Sequence, residues 1–195
     1  DGTYPLVVFS HGALGIRDSN PSMFTDLASH GYVVVSVDHT SHALFSTDAS
    51  GHRVWIDGGY LSDIRSEDAS KDPERSHRYY REWMGLRMTD LDFVIDHILG
   101  HPGDPVFGLV DPGRIGLAGH SLGGAAVLGV GRSRTDVAAV LALEAPFLAD
   151  IRGVENGAFT WDPDPYPVPV LCVYSDSAWD HLDEWPQYRR NLEVA

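Results

Sequence analysis

The chain has 195 residues, 43% of them hydrophobic, with 14 basic against 28 acidic side chains and a formal charge of −14. That is enough chain and apolar content for a proper core, and the charge argues against nucleic acid or anionic membrane surfaces as main partners. No apolar stretch approaches bilayer-spanning length, and a single cysteine, Cys172, rules out an internal disulfide.

The first residues, Asp1-Gly2-Thr3, carry neither an initiating methionine nor a signal peptide. An export sequence is therefore expected to have been removed or omitted, and the compartment, cytoplasmic or secreted, stays open. Tyr4-Pro5-Leu6-Val7-Val8-Phe9-Ser10 is a nearly continuous apolar run, as expected of a buried parallel strand. It feeds His11-Gly12-Ala13-Leu14-Gly15, a glycine-bearing loop that can supply a backbone N–H to a developing negative charge. Asn20-Pro21 predicts a helix over 21–30, with asparagine as cap and proline at the first position, ended by Gly31. Further strands are predicted at 32–37, 114–118, 138–143 and 168–174, and helices at 76–99, 122–131 and 182–192. This alternation predicts βαβ units, a mostly parallel sheet covered on both faces, and one domain over 1–195. Two segments resist regular assignment, 39–72 and 144–168. Both follow carboxyl ends of strands, where open α/β sheets bind ligands, so they are expected to wall or cap the pocket.

Gly119-His120-Ser121-Leu122-Gly123-Gly124 follows directly on Arg114-Ile115-Gly116-Leu117-Ala118. A strand that ends in a turn presenting a serine describes a hydrolase nucleophile, held at a strained positive φ. Residues two before and two after the serine must then lack a Cβ, and Gly119 and Gly123 meet that need. Gly124 would let the following helix pack closely. The oxyanion donors are expected to be the amides of Leu122 and Ala13.

Pro5–Gly12, Asp26–Val34, Asp38-His39 and Gly119–Ala125 resemble the platelet-activating-factor acetylhydrolase branch of the α/β-hydrolase fold, over about Tyr4 to Ser177. The resemblance implies calcium-independent hydrolysis of short or oxidised acyl esters, including the sn-2 acyl of a phospholipid, with related bacterial carboxylesterases in the same branch. It implies a serine esterase acting on a small-molecule ester or lipid, with no metal and no cofactor, and carries Ser121, Leu122 and Ala13 across by position. Glu144 stands where this branch has its acid, with glutamate for aspartate; the broader fold places the acid one strand later, which nominates Asp176 or, after it, Asp180. Either can hold an imidazole.

The chain order serine, acid, histidine leaves His181 as the one histidine downstream of Ser121. It lies at the start of the last predicted helix rather than after a further strand. The sequence therefore predicts a domain lacking its first strands, its last strand and its true base, with His181 as the remaining candidate. Asp38, His39 and His42 cluster like metal ligands, and His97 and His101 have helical spacing, but loop polarity and helix termination account for both. His120 is expected to pack and hydrogen-bond rather than act as base. Trp55, Tyr60, Phe159, Trp161 and Trp179 either line an acyl pocket or cover the sheet. The alternative functions are a catalytically inactive binding protein on the same scaffold, or a peptidase or lipase.

Overall fold

The computed structural model describes residues 2–194; Asp1 and Ala195, the ends of the domain expected over 1–195, lie outside the described residues. In chain order the elements are β1 (Tyr4–Ser10), α1 (Pro21–Ser29), β2 (Val33–Val37), β3 (Phe45–Thr47), β4 (Arg53–Trp55), α2 (Gly58–Ser66) and α3 (Pro73–Gly100). There follow β5 (Val110–His120), α4 (Leu122–Ser133), β6 (Val137–Leu143), β7 (Ile151–Glu155), β8 (Ala158–Trp161), β9 (Val170–Val173), α5 (Asp176–Trp179) and α6 (Arg189–Val194).

The main sheet has five strands in the order β2-β1-β5-β6-β9, and every pairing in it is parallel. From β1 the chain steps one way to β2, then crosses back over β1 to β5 and proceeds the other way. The reversal lies between β1 and β5, where Ser10 is in register with Gly119. Carboxyl ends of strands at such a switch point leave an open crevice. The loop after β1 and the turn after β5 therefore meet there.

Apolar side chains of the central strands, among them Leu6, Val8, Ile115 and Leu117, are buried beneath the helices. α4 is buried from Leu122 through Gly131, as a helix of small and apolar residues must be when both sheet and helix cover it. α3 is amphipathic: Ser76, Tyr80, Trp83, Met84, Arg87, Leu91, Ile95 and Ile98 recur at three- and four-residue spacing and form its buried stripe.

The predicted strands are all found within a few residues, and the helix ends show where local signals compete. α1 begins at Pro21, but Asn20 makes no side-chain cap bond, contrary to expectation; the fixed φ of proline is the start signal. α3 starts three residues before the predicted 76, because Asp72 caps it by accepting from Arg75 N–H at 2.9 Å and Pro73 takes the first position. The predicted helix over 182–192 is not continuous. Trp185 is extended ahead of Pro186, as proline demands of its predecessor, leaving short 3₁₀ turns at Leu182–Glu184 and Pro186–Tyr188 before α6. Both unassigned segments contain regular structure: a β3–β4 hairpin and α2 in 39–72, and a β7–β8 hairpin in 144–168.

The α3 stripe makes a direct prediction. Leu91→Ala, at a fully buried position, should cost about 2–5 kcal/mol in urea unfolding. Phe93→Ala, two residues on and 67% exposed, should change stability by about 0.5 kcal/mol or less. Equal losses would contradict this orientation of the helix.

Candidate active site

Ser121 sits between β5 and α4 with φ 52° and ψ −119°, a left-handed conformation that costs a non-glycine residue energy. Its N–H donates to the Leu143 carbonyl at 2.8 Å, pinning the turn to the end of β6. The turn closes only without side chains around it. A Cβ on Gly119 would lie 2.6 Å from the Gly123 carbonyl carbon, one on Gly123 would strike the carbonyls of Ser10 and His11, and one on Gly124 would strike the Ala145 methyl. Gly123 therefore brings the turn against the end of β1, and Gly124 seats α4 against the chain leaving β6.

Ser121, Leu122 and Ala13 share one cleft of about 180 Å³, with Ile64, Glu67, Tyr80, Trp83, Pro146, Leu148 and Tyr188 among its walls. Ile64 and Glu67 come from the segment 39–72 and Pro146 and Leu148 from 144–168. Neither the Leu122 N–H, in the first turn of α4, nor the Ala13 N–H has an acceptor among the described residues. First-turn helix amides lack intrahelical partners and carry the positive end of the helix dipole, which suits them to an anion. Larger cavities lie elsewhere; one of about 370 Å³ runs between the β7–β8 hairpin and the last turns of the chain, away from Ser121.

Glu144 leaves β6 beside this turn, again at positive φ, 50°. Its N–H donates to the Val173 carbonyl at 2.8 Å, and its Oε1 accepts from Ser175 N–H at 3.0 Å. Hydrogen bonding from Ser175 is the main cause holding its pKa below the usual glutamate value, with the neighbouring His120 acting in the same direction. Asp176 opens α5 and is exposed, as is Asp180. The structure does not bring His181 to Ser121. Its imidazole is exposed and its Nδ1 pairs with Glu184 Oε1 at 3.0 Å, which raises its pKa. Among the described residues, Ser121 Oγ has no hydrogen-bond partner and no histidine within bonding reach.

The aromatic residues named from sequence lie outside this cleft. Trp55 and Trp179 are exposed, Tyr60 is stacked on His42, and Phe159 and Trp161 line the 370 Å³ cavity. Tyr80, Trp83 and Tyr188 line the cleft instead; the first two were hidden in the sequence as ordinary members of the α3 stripe. The rings of His97 and His101 lie 4.1 Å apart, tilted by 35°, and His101 Nδ1 bonds the His97 carbonyl.

A buried polar chain unseen in the sequence lies beneath the cleft. Ser10 Oγ is 2.8 Å from His39 Nε2, and His39 Nδ1 is 2.9 Å from Asp90 Oδ2. Ser10 and His39 are fully buried, and this serine–histidine–aspartate series ties the end of β1, the loop after β2 and α3 together. Burial, then Arg87, keeps His39 well below its ordinary pKa, so its contact with Asp90 is a hydrogen bond rather than an ion pair. Arg87 is wholly buried and donates to the His11 carbonyl at 2.6 Å. An arginine on an apolar stripe was the one sequence signal of this network.

A family model described as "Platelet-activating factor acetylhydrolase, isoform II" matches residues 1–78. The chain is 31% identical over 143 residues to the platelet-activating factor acetylhydrolase of Canis lupus familiaris, covering 64% of this chain and 31% of that protein. The Bos taurus acetylhydrolase is 32% identical over the same length, with the same coverage. The chain thus spans about a third of the length of these relatives. A solved ferulic acid esterase from Streptomyces cinnamoneus superposes with TM-score 0.70 at 29% identity, over 98% of this chain and 46% of that one. The fold is of the α/β-hydrolase type, and the chain is related to platelet-activating-factor acetylhydrolases and bacterial esterases.

Two measurements test this geometry. Gly123→Ala should destabilise by about 1–3 kcal/mol or more, because the methyl meets backbone rather than a movable side chain. Gly85→Ala, in α3 with nothing near its Cβ position, should stabilise by roughly 0.5–1 kcal/mol. Acid should also weaken the fold. His11 is pushed down to about 3, chiefly by burial and then by Arg87, and His39 is lowered likewise. Below their unfolded value of about 6.5 the unfolded chain takes up protons that the folded chain refuses. Stability present above that pH is therefore lost on acidification, by up to about 1.4 kcal/mol per pH unit for each histidine. A flat unfolding free energy between about pH 6 and pH 5 would contradict their buried, neutral state.

Proposed function

We propose that this chain carries the nucleophile half of a serine esterase, which cleaves carboxylic esters through an acyl-enzyme on Ser121. One observation carries it: a strained serine opens on a cleft beside two unpaired amides, Leu122 and Ala13. Attack of the Ser121 oxygen on an ester carbonyl forms a tetrahedral adduct, whose negative oxygen these amides would receive. Each such donor is worth roughly 3 kcal/mol to the barrier. Collapse releases the alcohol and leaves the acyl group on Ser121, and water then frees the acid.

Glu144 is the proposed acid. It lies at the end of the strand beside the nucleophile's, holds a strained backbone, and stays ionised at neutral pH. A carboxylate in this role orients an imidazole and stabilises its cation. Asp176 is further along the chain and lacks a comparable anchor. With His181 turned to Glu184, no imidazole among the described residues stands within bonding reach of Ser121, and the base is left unassigned. The substrate proposal is a short acyl ester, including the sn-2 acyl of a phospholipid, since the cleft is small and its walls are largely apolar. The described residues form one domain in this proposal, with 39–72 and 144–168 contributing the cleft walls. No helix among them is long and apolar enough to cross a membrane.

In the full-length protein a fluorophosphonate should label Ser121 in one-to-one stoichiometry, and Ser121→Ala should abolish it. Glu144→Gln should lower ester turnover by about 10²-fold or more without unfolding the protein; near-normal turnover would move the acid to Asp176. Among p-nitrophenyl esters, the acetate should be cleaved with higher kcat/KM than the octanoate. Absence of both labelling and turnover would leave the inactive-scaffold alternative.

A further inference from the structure

We propose that His11 is a positioning residue which, clamped from α3 by Arg87, aims the Ala13 N–H into the cleft; this rests on the esterase proposal above. His11 Nδ1 lies 2.7 Å from the Gly12 carbonyl oxygen, so this nitrogen must carry the proton. The other ring nitrogen, Nε2, is then a lone-pair acceptor, and it receives the His39 N–H at 3.4 Å. The two contacts agree on one neutral tautomer. His39 is fixed in turn, because its Nδ1 faces Asp90 and its Nε2 receives the Ser10 hydroxyl.

The consequence for Ala13 follows from peptide geometry. The Gly12 carbonyl and the Ala13 N–H belong to one peptide unit, and no cis bond occurs among the described residues. In a trans unit the two groups point in opposite directions. His11 Nδ1–H and, at 3.2 Å, Gly15 N–H draw the Gly12 oxygen toward the interior. That leaves the Ala13 N–H facing the other way, where Ala13 joins Ser121 and Leu122 in lining the cleft. The preceding peptide is held as firmly, since Arg87 donates to the His11 carbonyl at 2.6 Å. Gly15 completes the clamp: a Cβ there would crowd His11 Cβ at 3.1 Å and Nδ1 at 3.2 Å. The amide is thus oriented by a chain of bonds running from Asp90 through His39 and His11, all set before any substrate arrives.

The test uses ¹⁵N-labelled protein with two variants. His11→Asn keeps a donor near the Nδ1 position, whereas His11→Gln offers its amide near Nε2 and loses that donor. In the unmodified protein the His11 ring should show a protonated Nδ1 and a bare Nε2, unchanged from about pH 5 to about pH 8. The Ala13 amide resonance should move in His11→Gln and stay near its original position in His11→Asn. With p-nitrophenyl acetate, kcat should fall about ten-fold or more in His11→Gln with KM little changed, and recover substantially in His11→Asn. A proton on Nε2, or an Ala13 amide indifferent to His11→Gln in a folded protein, would overturn the proposal. Should both variants fail to fold, the ring tautomer of the unmodified protein still decides it. Absence of turnover by the unmodified full-length protein, in which the kinetic comparison is made, would instead overturn the esterase proposal, while the resonance measurements judge the positioning on their own.

Discussion

The steric clearance between the β5–α4 turn and the end of β1 is the constraint on which the rest of the structure depends. At Gly123 the space a Cβ would need is held by the carbonyls of Ser10 and His11, and at Gly119 by the backbone of Gly123. Contact this close is open only to glycine. It places the first-turn amides of α4 within reach of the loop after β1, at the point where the strand order reverses. Ser121 then cannot relax to an ordinary helical φ without breaking its bond to Leu143 or separating the two segments. The strain at Ser121 and at Glu144 thus sits where parallel strands end side by side, and is held there by the backbone bonds of both residues to neighbouring strands.

Beneath the cleft, polarity is arranged so that little charge is buried. Histidines 11 and 39 are kept neutral by burial and by Arg87, and their four ring nitrogens are all engaged. Fully satisfied networks of this kind rigidify what they touch, whereas a single missing partner is costly. Arg87 is the exception, a buried cation whose Nε has no partner among the described residues. Its favourable contacts are the His11 carbonyl and the Tyr60 hydroxyl, with Asp90 lending charge from the next turn of the helix. A cation retained at such expense joins the loop after β1 to the longest helix in the molecule.

Much of this was legible in the sequence because it is local. Apolar runs bounded by glycine and proline mark the five strands of the sheet, and Gly119, Gly123 and Gly124 mark a crowded turn. The failures have physical causes. α2 was hidden because Gly58 and Gly59 open it, and only the Asp57 side chain accepting from Tyr60 N–H makes them a helix start. The helix over 182–192 was overdrawn because Pro186 sits inside a pattern that otherwise alternates suitably. Long-range partners were invisible: Asp90 and Arg87 lie 51 and 76 residues from His39 and His11, and no spacing rule connects them. The cleft aromatics escape a sequence reading for the same reason, since Trp83 serves the α3 stripe and the cleft wall at once.

The central claim is that Ser121 and the amides of Leu122 and Ala13 form a single oxyanion-binding unit. The most direct measurement is a crystal structure after reaction with an alkyl phosphonate, whose phosphorus bonded to Ser121 Oγ mimics the tetrahedral adduct. The account predicts one phosphonyl oxygen at about 3 Å from both the Ala13 and the Leu122 nitrogen. An unmodified Ser121, or an adduct whose oxygens avoid these two amides, would contradict it.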